Sequence, residues 1–324
     1  MKTVVTGGAG FIGCHLVRRL LDQGREVVVA DDFSRGDARR LREFSVDLDP
    51  RPVDLRDYHQ THEVIAGAQS VFHLAARVGS VEFLHGTDRA ELVALQTNLV
   101  IDANVFRACL EHNVPTVVYA SSVSVYPIAP QQSMGAVFAE DDAASVDPEG
   151  GYGWAKLMGE IQLRWMTGIR SGIARLFSVY GEGEEPDETS HVVPAIIRKV
   201  ILTPRGDFPV WGDGAQTRDF LHVADAVEAL IRLESAAAFP PVVVNIGSGA
   251  AVSVREVVDK IVQISGKDVR PVFLGSGHVG PRSRTADITR MKTILHWQPR
   301  VNLDDGLRRT YTWIEERLVQ PLQP

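Results

Sequence analysis

Tyr152 and Lys156 stand four residues apart in the run GGYGWAKLMGE at 150–160. On a helix that spacing puts both side chains on one face. An unperturbed tyrosine hydroxyl titrates at about 10. It acts as a base near neutrality only beside positive charge, which Lys156 would supply. An oxidised nicotinamide ring would add more. Such a tyrosinate takes the proton from a substrate hydroxyl whose carbon gives up hydride. Taken alone, the pair is equally an aromatic and a cation sharing one face of an ordinary helix. Ser122 changes the weighting, because it ends the β-rich run TVVYASS at 116–122. Ligands of parallel α/β sheets bind beyond the carboxyl ends of strands. There the Ser122 hydroxyl would share a hydrogen bond with the same substrate hydroxyl, although a turn-forming serine reads the same way.

A second constellation lies near the start. TGGAGFIG places Gly7, Gly10 and Gly13 between a short β-rich run and a helical one, with Phe11 and Ile12 opening the helix. The first glycine permits a tight turn, the second lets the backbone approach a pyrophosphate, and the third lets helix and strand pack closely. The helix N-terminus then offers free N–H groups and a positive dipole end. Asp31, followed by Asp32, ends the next strand run, EVVVADD at 26–32. A carboxylate there accepts bonds from an adenosine ribose and repels a 2′-phosphate. NAD is therefore favoured over NADP, with Arg35, Arg39 and Arg40 leaving NADP open.

The elements that must hold these groups alternate. Strand runs lie at 2–7, 26–32, 70–76 and 116–122, with helical runs between, such as 11–24 and 95–113. That order predicts an α/β fold of Rossmann type, a doubly wound parallel sheet with right-handed crossovers. After 173–181 the texture changes to short elements rich in Gly and Pro, beginning with an acidic loop at 181–190 that reads as solvated. The expected division is an NAD-binding domain over 1–174 and a smaller C-terminal α/β domain for substrate over 175–324. Return segments are expected near 217–248, and the run at 242–249 reads as a strand rejoining the main sheet.

Composition sets the outer bounds. The chain has 324 residues, 44% hydrophobic and 23% charged, with net charge −7. Such acidity argues against a nucleic-acid surface. Cys14 and Cys109 sit among apolar helical residues and read as buried free thiols. Neither a metal pair nor a disulfide framework is visible. The start lacks the apolar length of a signal peptide, and no run reaches the roughly 20 residues of a membrane helix. A cytoplasmic protein is expected.

With these runs in place, the chain resembles the extended short-chain dehydrogenase/reductase family, the NAD-dependent sugar-nucleotide epimerases and dehydratases. The resemblance spans nearly the whole chain. Beyond the runs already quoted it rests on VDLRD at 53–57, FHLAA at 72–76, RLFSVYG at 175–181, WGDGAQTRDFLHVADA at 211–226 and RTADITRMKTILHWQP at 284–299. It implies a catalytic set of Ser122, Tyr152 and Lys156. Asp54 and Leu55 would flank the adenine. Leu74, Ala75 and Ala76 would line the nicotinamide side, with Asn98 in the cofactor set. Arg218 would grip the diphosphate of a nucleoside-diphosphate sugar, with Arg282 or Arg284 as a second contact. Val78, Ser178 and Val192 would join the substrate set. His73 would pack under the cofactor.

Several segments resemble GDP-mannose 3,5-epimerases, in which a Cys and a Lys exchange protons at C3 and C5. Those positions hold Ser124 and His191 here. The Asp-Glu pair that 4,6-dehydratases carry after the catalytic hydroxyl is Val123 and Ser124. The Arg by which uronic-acid 4-epimerases hold their carboxylate is Glu185. The resemblance therefore implies C4 epimerisation of a neutral NDP-hexose through a 4-keto sugar. The alternatives are 3,5- or 5-epimerisation by Ser124 and His191, 4-epimerisation of a UDP-glucuronate type, and a non-catalytic NAD-binding regulator or scaffold. It also implies a homodimer through a four-helix bundle. Leu99, Val105, Phe106, Met158, Ile161 and Leu163 would be its apolar contacts, with Cys109 on the same face.

Overall fold

The computed structural model describes residues 1–43, 52–187, 190–275 and 280–319. The strand runs form one six-stranded sheet. Its order is Val242–Ile246, Arg170–Leu176, Thr116–Ser122, Ser70–His73, Lys2–Thr6 and Glu26–Ala30, and every pairing is parallel. All seven residues of Thr116–Ser122 are buried, as expected of a strand covered on both faces. Helices Phe11–Asp22 and Val223–Ala236 cover one side, where Leu16, Leu20, Leu230 and Leu233 share a core. Helices Asp88–Glu111 and Gly150–Trp165 cover the other through Val105, Phe106 and Leu163. The sheet is thus the doubly wound one that the alternating pattern predicts.

Two strands end earlier than their apolar runs. After His73 the N–H groups of Leu74 and Ala75 turn to the Thr6 hydroxyl, each at 3.2 Å. Asp31 leaves the ladder for a single bridge to Pro52. Conversely, Asp88–Glu111 begins seven residues before the helical run at 95. Thr87 caps it by accepting from the Ala90 N–H, and Asp88 and Glu91 suit the positive end of its first turn.

The chain runs outward from Lys2–Thr6 to Glu26–Ala30, then returns to Ser70–His73 on the opposite side. This reversal opens a crevice beyond the strand ends. Gly7, with φ +68°, lies there so close to the neighbouring strand's exit that a Cβ would stand 2.8 Å from the Ala75 nitrogen. A Cβ on Gly13 would overlap the Gly7 carbonyl.

A second core lies among helices Val192–Leu202, Val254–Ser265 and Leu303–Val319 and the parallel pair Gly206–Val210 and Val269–Phe273. Small ribbons join the lobes. Ser178–Tyr180 pairs with Phe220–His222, and Ser283–Ala286 lies between Thr217–Arg218 and Val137–Phe138.

Burial removes four of the expected dimer contacts and leaves Leu99, Met158 and Ile161 partly exposed. Val105, Phe106 and Leu163, together with Cys109, are packed into the core beneath the sheet. The apolar groups facing outward on these two helices are Leu92, Val100 and Leu110 on one, and Trp154 and Trp165 on the other.

Candidate active site

The helix carrying Tyr152 opens on glycines because it is pressed onto the loop after Ser122. A Cβ on Gly153 would overlap the Ser124 carbonyl. This close approach brings together Ser122, Tyr152 and Lys156, all of them buried. The Lys156 ammonium stands 5.9 Å from the Tyr152 ring centroid and 4.7 Å from that of Tyr119. Burial pushes the Tyr152 hydroxyl above its ordinary range. The nearby Ser122 hydroxyl opposes the rise, and Asp102 and Glu149 add to it. Burial also lowers Lys156, against the pull of Asp102 and Glu160. Within the protein alone Tyr152 keeps its proton. A tyrosinate therefore needs the positive nicotinamide as well as Lys156.

The residues expected around a cofactor are held as follows. Asp31 is buried and accepts from the Ala9 and Phe33 N–H groups at 3.0 and 2.9 Å. Burial raises its pKa, while those two bonds and Arg40 oppose the rise. Asp32 is occupied locally, accepting from the backbone and hydroxyl of Ser34. Asp54 holds Arg56 through two bonds of 2.8 Å. The buried Leu55 is fixed through its carbonyl by Asn104 at 2.8 Å. Phe11 and Ile12 pack against the first core, and Ala76 lies against the small cluster containing Tyr152. Asn98 acts on the loop after Ala76. It accepts from the Arg77 N–H at 2.7 Å and donates to the Arg77 carbonyl at 3.2 Å.

The expected substrate residues divide. Arg218 and Arg284 lie together. Burial first, then the Arg284 charge, pushes Arg218 down to about 9, with Glu149 opposing. Two guanidinium groups this close suit a dianion. Asp219, next in sequence, fixes this strand by accepting from the N–H groups of Ser248, Gly249 and Ala286. Arg282 instead pairs on the surface with Asp213 at 3.4 Å. Ser178 donates its N–H to the Asp219 carbonyl at 3.0 Å. Val78 is exposed, and its carbonyl accepts from Arg35 at 2.9 Å. Val192 packs against the second core. Glu185 lies between Arg40 and Arg317 at 3.6 and 3.5 Å. His191 caps a helix and bonds Glu184 at 2.5 Å. Burial opposes its charge, but Glu184 outweighs that and raises its pKa.

Ser124 and His191 are held by different carboxylates, Glu149 and Glu184. Ser124 donates to Glu149 at 3.1 Å, and Glu149 is held by Arg284, which also reaches Gln131. Burial raises the Glu149 carboxyl, but Arg284, His85 and Ser124 together bring it below its ordinary range. Glu149 escapes the sequence reading because no motif marks it three residues before Tyr152. Asp102 escapes it too, although a polar residue on the buried stripe of Ala94, Asn98, Val105 and Phe106 was a usable signal.

Residues 3–247 match the model of the NAD dependent epimerase/dehydratase family. The chain belongs to that family. GDP-mannose 3,5-epimerase 1 of Oryza sativa subsp. japonica is 32% identical over 321 residues, covering 98% of this chain and 82% of the relative. The crystal structure of UDP-glucose 4-epimerase from Thermotoga maritima, solved with UDP-glucose, superposes with a TM-score of 0.86 at 25% identity, covering 98% and 100% of the two chains. MoeE5 in complex with UDP-glucose and NAD gives a TM-score of 0.82 at 32% identity, covering 98% and 100%.

This NAD-dependent epimerase/dehydratase has a cradle that fits its cofactor. Gly10 begins the helix Phe11–Asp22 without a side-chain cap, leaving N–H groups for a pyrophosphate. A Cβ on Gly10 would come within 3.1 Å of the Gly7 carbonyl oxygen and narrow the cradle.

Proposed function

We propose that the protein is a sugar-nucleotide 4-epimerase acting on a neutral NDP-hexose. The observation that carries this reading is the buried set of Ser122, Tyr152 and Lys156, assembled while Ser124 and His191 are each held by a separate carboxylate. Inversion at C4 needs only one proton-accepting group. Bound NAD supplies a reversible two-electron acceptor at the sugar carbon. Ser122 orients the C4 hydroxyl, and Tyr152 takes its proton as the carbon is oxidised. Lys156 stabilises the tyrosinate. Arg218 and Arg284 hold the diphosphate while the planar 4-keto sugar turns. Tyr152 then returns the proton once the opposite face has been reduced.

The preference for a neutral hexose rests on Glu185 standing where the resemblance places a carboxylate-binding Arg; Glu185 is tied to Arg40 and Arg317, and Glu149 to Arg284. A second reading is 3- or 5-epimerisation. It is favoured by the similarity to GDP-mannose 3,5-epimerase and by Glu149, which gives Ser124 an adjacent carboxylate. A homodimer through the outward Leu92, Val100, Leu110, Trp154 and Trp165 is part of the proposal. So is a cytoplasmic location, supported by two buried free cysteines. Among the described residues, no helix is long and apolar enough to cross a membrane.

Incubation with UDP-, GDP- and other NDP-hexoses in D₂O, followed by proton NMR, tests the reading. Inversion at C4 without deuterium in the sugar is expected. Deuterium at C3 or C5 would establish enolisation and overturn it in favour of Ser124 and Glu149.

A further inference from the structure

We propose that Asp102 is the counter-ion of Lys156, a positioning residue that keeps the catalytic lysine charged in a site closed to water. The proposal rests on the reading of Lys156 as catalytic. Asp102 lies on Asp88–Glu111 and is fully buried. Its Oδ1 meets His73 Nε2 at 3.0 Å, and its Oδ2 meets the Tyr119 hydroxyl at 2.6 Å.

The direction of these bonds can be worked out. The Thr6 hydroxyl oxygen accepts from the Ala75 N–H, shares the Leu74 N–H with the Thr6 carbonyl, and lies 2.7 Å from His73 Nδ1. With both lone pairs occupied, Thr6 must donate to Nδ1. Nδ1 is then the acceptor of a neutral imidazole, and Nε2 carries the proton, which it donates to Asp102. Burial, which lowers the His73 pKa against the pull of Asp102, agrees with a neutral ring. The Tyr119 hydroxyl also donates to Asp102. Both partners of Asp102 are therefore neutral donors, and its two oxygens serve as acceptors.

A buried charge needs an opposite one. Each element around Lys156 can be searched for it. The strands supply His73 and Tyr119, both neutral. The lysine's own helix supplies Tyr152 and Glu160. Glu160 is already neutralised by Arg175, which forks onto it at 2.9 and 2.7 Å. Asp102 remains, and its charge opposes the effect of burial on Lys156 more strongly than that of Glu160. The packing is arranged for it. A Cβ on Gly159, one turn beyond Lys156, would collide with the Tyr119 hydroxyl and lie 2.7 Å from Asp102 Oδ2. Any larger residue there would displace the tyrosine and the carboxylate together.

The chain has six lysines, so selective ¹³C,¹⁵N-lysine labelling can follow the Lys156 side-chain titration in the NAD-bound protein, assigned with Lys156→Arg. In Asp102→Asn, of equal shape, that titration should move down by at least about one pH unit, a tenfold change in proton affinity. The alkaline limb of kcat/KM should move with it. Tyr119→Phe keeps the carboxylate, so its Lys156 should titrate no lower than wild type. If Asp102→Asn does not fold, any fall of the Lys156 titration below wild type in Tyr119→Phe overturns the proposal. An unmoved titration in Asp102→Asn overturns the proposal, as does an equal fall in Tyr119→Phe. A uniform loss of activity with an unmoved alkaline limb would make the role structural and overturn it too. Failure of the wild-type protein to turn over any NDP-hexose would overturn the functional reading and leave the NMR result standing.

Discussion

Deleting Arg175 and Glu160 together should cost well below the sum of deleting each alone. The two side chains are 1% and 0% exposed. Arg175 forks onto Glu160 and also donates to the Glu140 carbonyl at 2.6 Å and the Tyr126 hydroxyl at 3.2 Å. Ser121 donates to Glu160 at 2.6 Å. Arg175→Met leaves a buried carboxylate without a cation, and Glu160→Leu leaves a buried guanidinium without an anion. Each should cost about 3–5 kcal/mol. The double variant removes both charges. It leaves the Glu140 carbonyl and the Ser121 hydroxyl short of a partner, at about 1–3 kcal/mol each. Its cost should be about 2–6 kcal/mol, well below the roughly 6–10 of two independent losses. The assay is urea unfolding at one fixed, saturating NAD concentration, so that cofactor linkage is constant. With a slope of about 3 kcal/mol/M, each single variant lowers the midpoint by about 1–1.7 M. Additivity within about 0.5 kcal/mol would refute the buried-pair argument, and with it the neutralisation of Glu160.

Tyr152→Phe should lower kcat by about 10²–10⁴ while NAD is still released on denaturation; loss of NAD with the activity would indicate damage to the cradle. Arg218→Met should raise KM by about 10–150-fold, the loss of one charged hydrogen bond, with kcat little changed; an unchanged KM would remove Arg218 from the diphosphate site. The Cys109 thiol is pushed up to about 12 by burial. A thiol reagent at pH 8 should leave it untouched in the native protein and label it after unfolding, which mass mapping of the labelled peptide reads directly.

The glycine turn and the Tyr152–Lys156 helix were legible because most of their determinants are short-range. Gly10 and Gly13 are required by contacts with the Gly7 backbone within one turn, Gly7 by the neighbouring strand's exit at Ala75, and Tyr152 and Lys156 share one helical turn. The substrate half of the site was not, because there the choice of partner is tertiary. The spacing of Arg282 and Arg284 gives no sign that one faces Asp213 and the other Glu149. Glu185 reads as a solvated acid until Arg40 and Arg317 arrive from distant helices. The alternation of strands and helices predicts the doubly wound sheet. Helix faces were harder, because Val105 and Phe106 look alike as core or as interface. The early ends of the strands depend on Thr6 and Pro52, which no reading of 70–76 or 26–32 includes.

The sheet's outermost strand carries a consequence for biosynthesis. Val242–Ile246 pairs with Arg170–Leu176, which the ribosome finishes about 70 residues earlier. At about 5–20 residues per second, the older strand waits about 4–14 s for its neighbour. During that interval a mostly apolar segment presents an open hydrogen-bonding edge. A nascent chain stalled before residue 242 should therefore recruit holding chaperones and aggregate when released, whereas one stalled well beyond it should emerge with the edge closed.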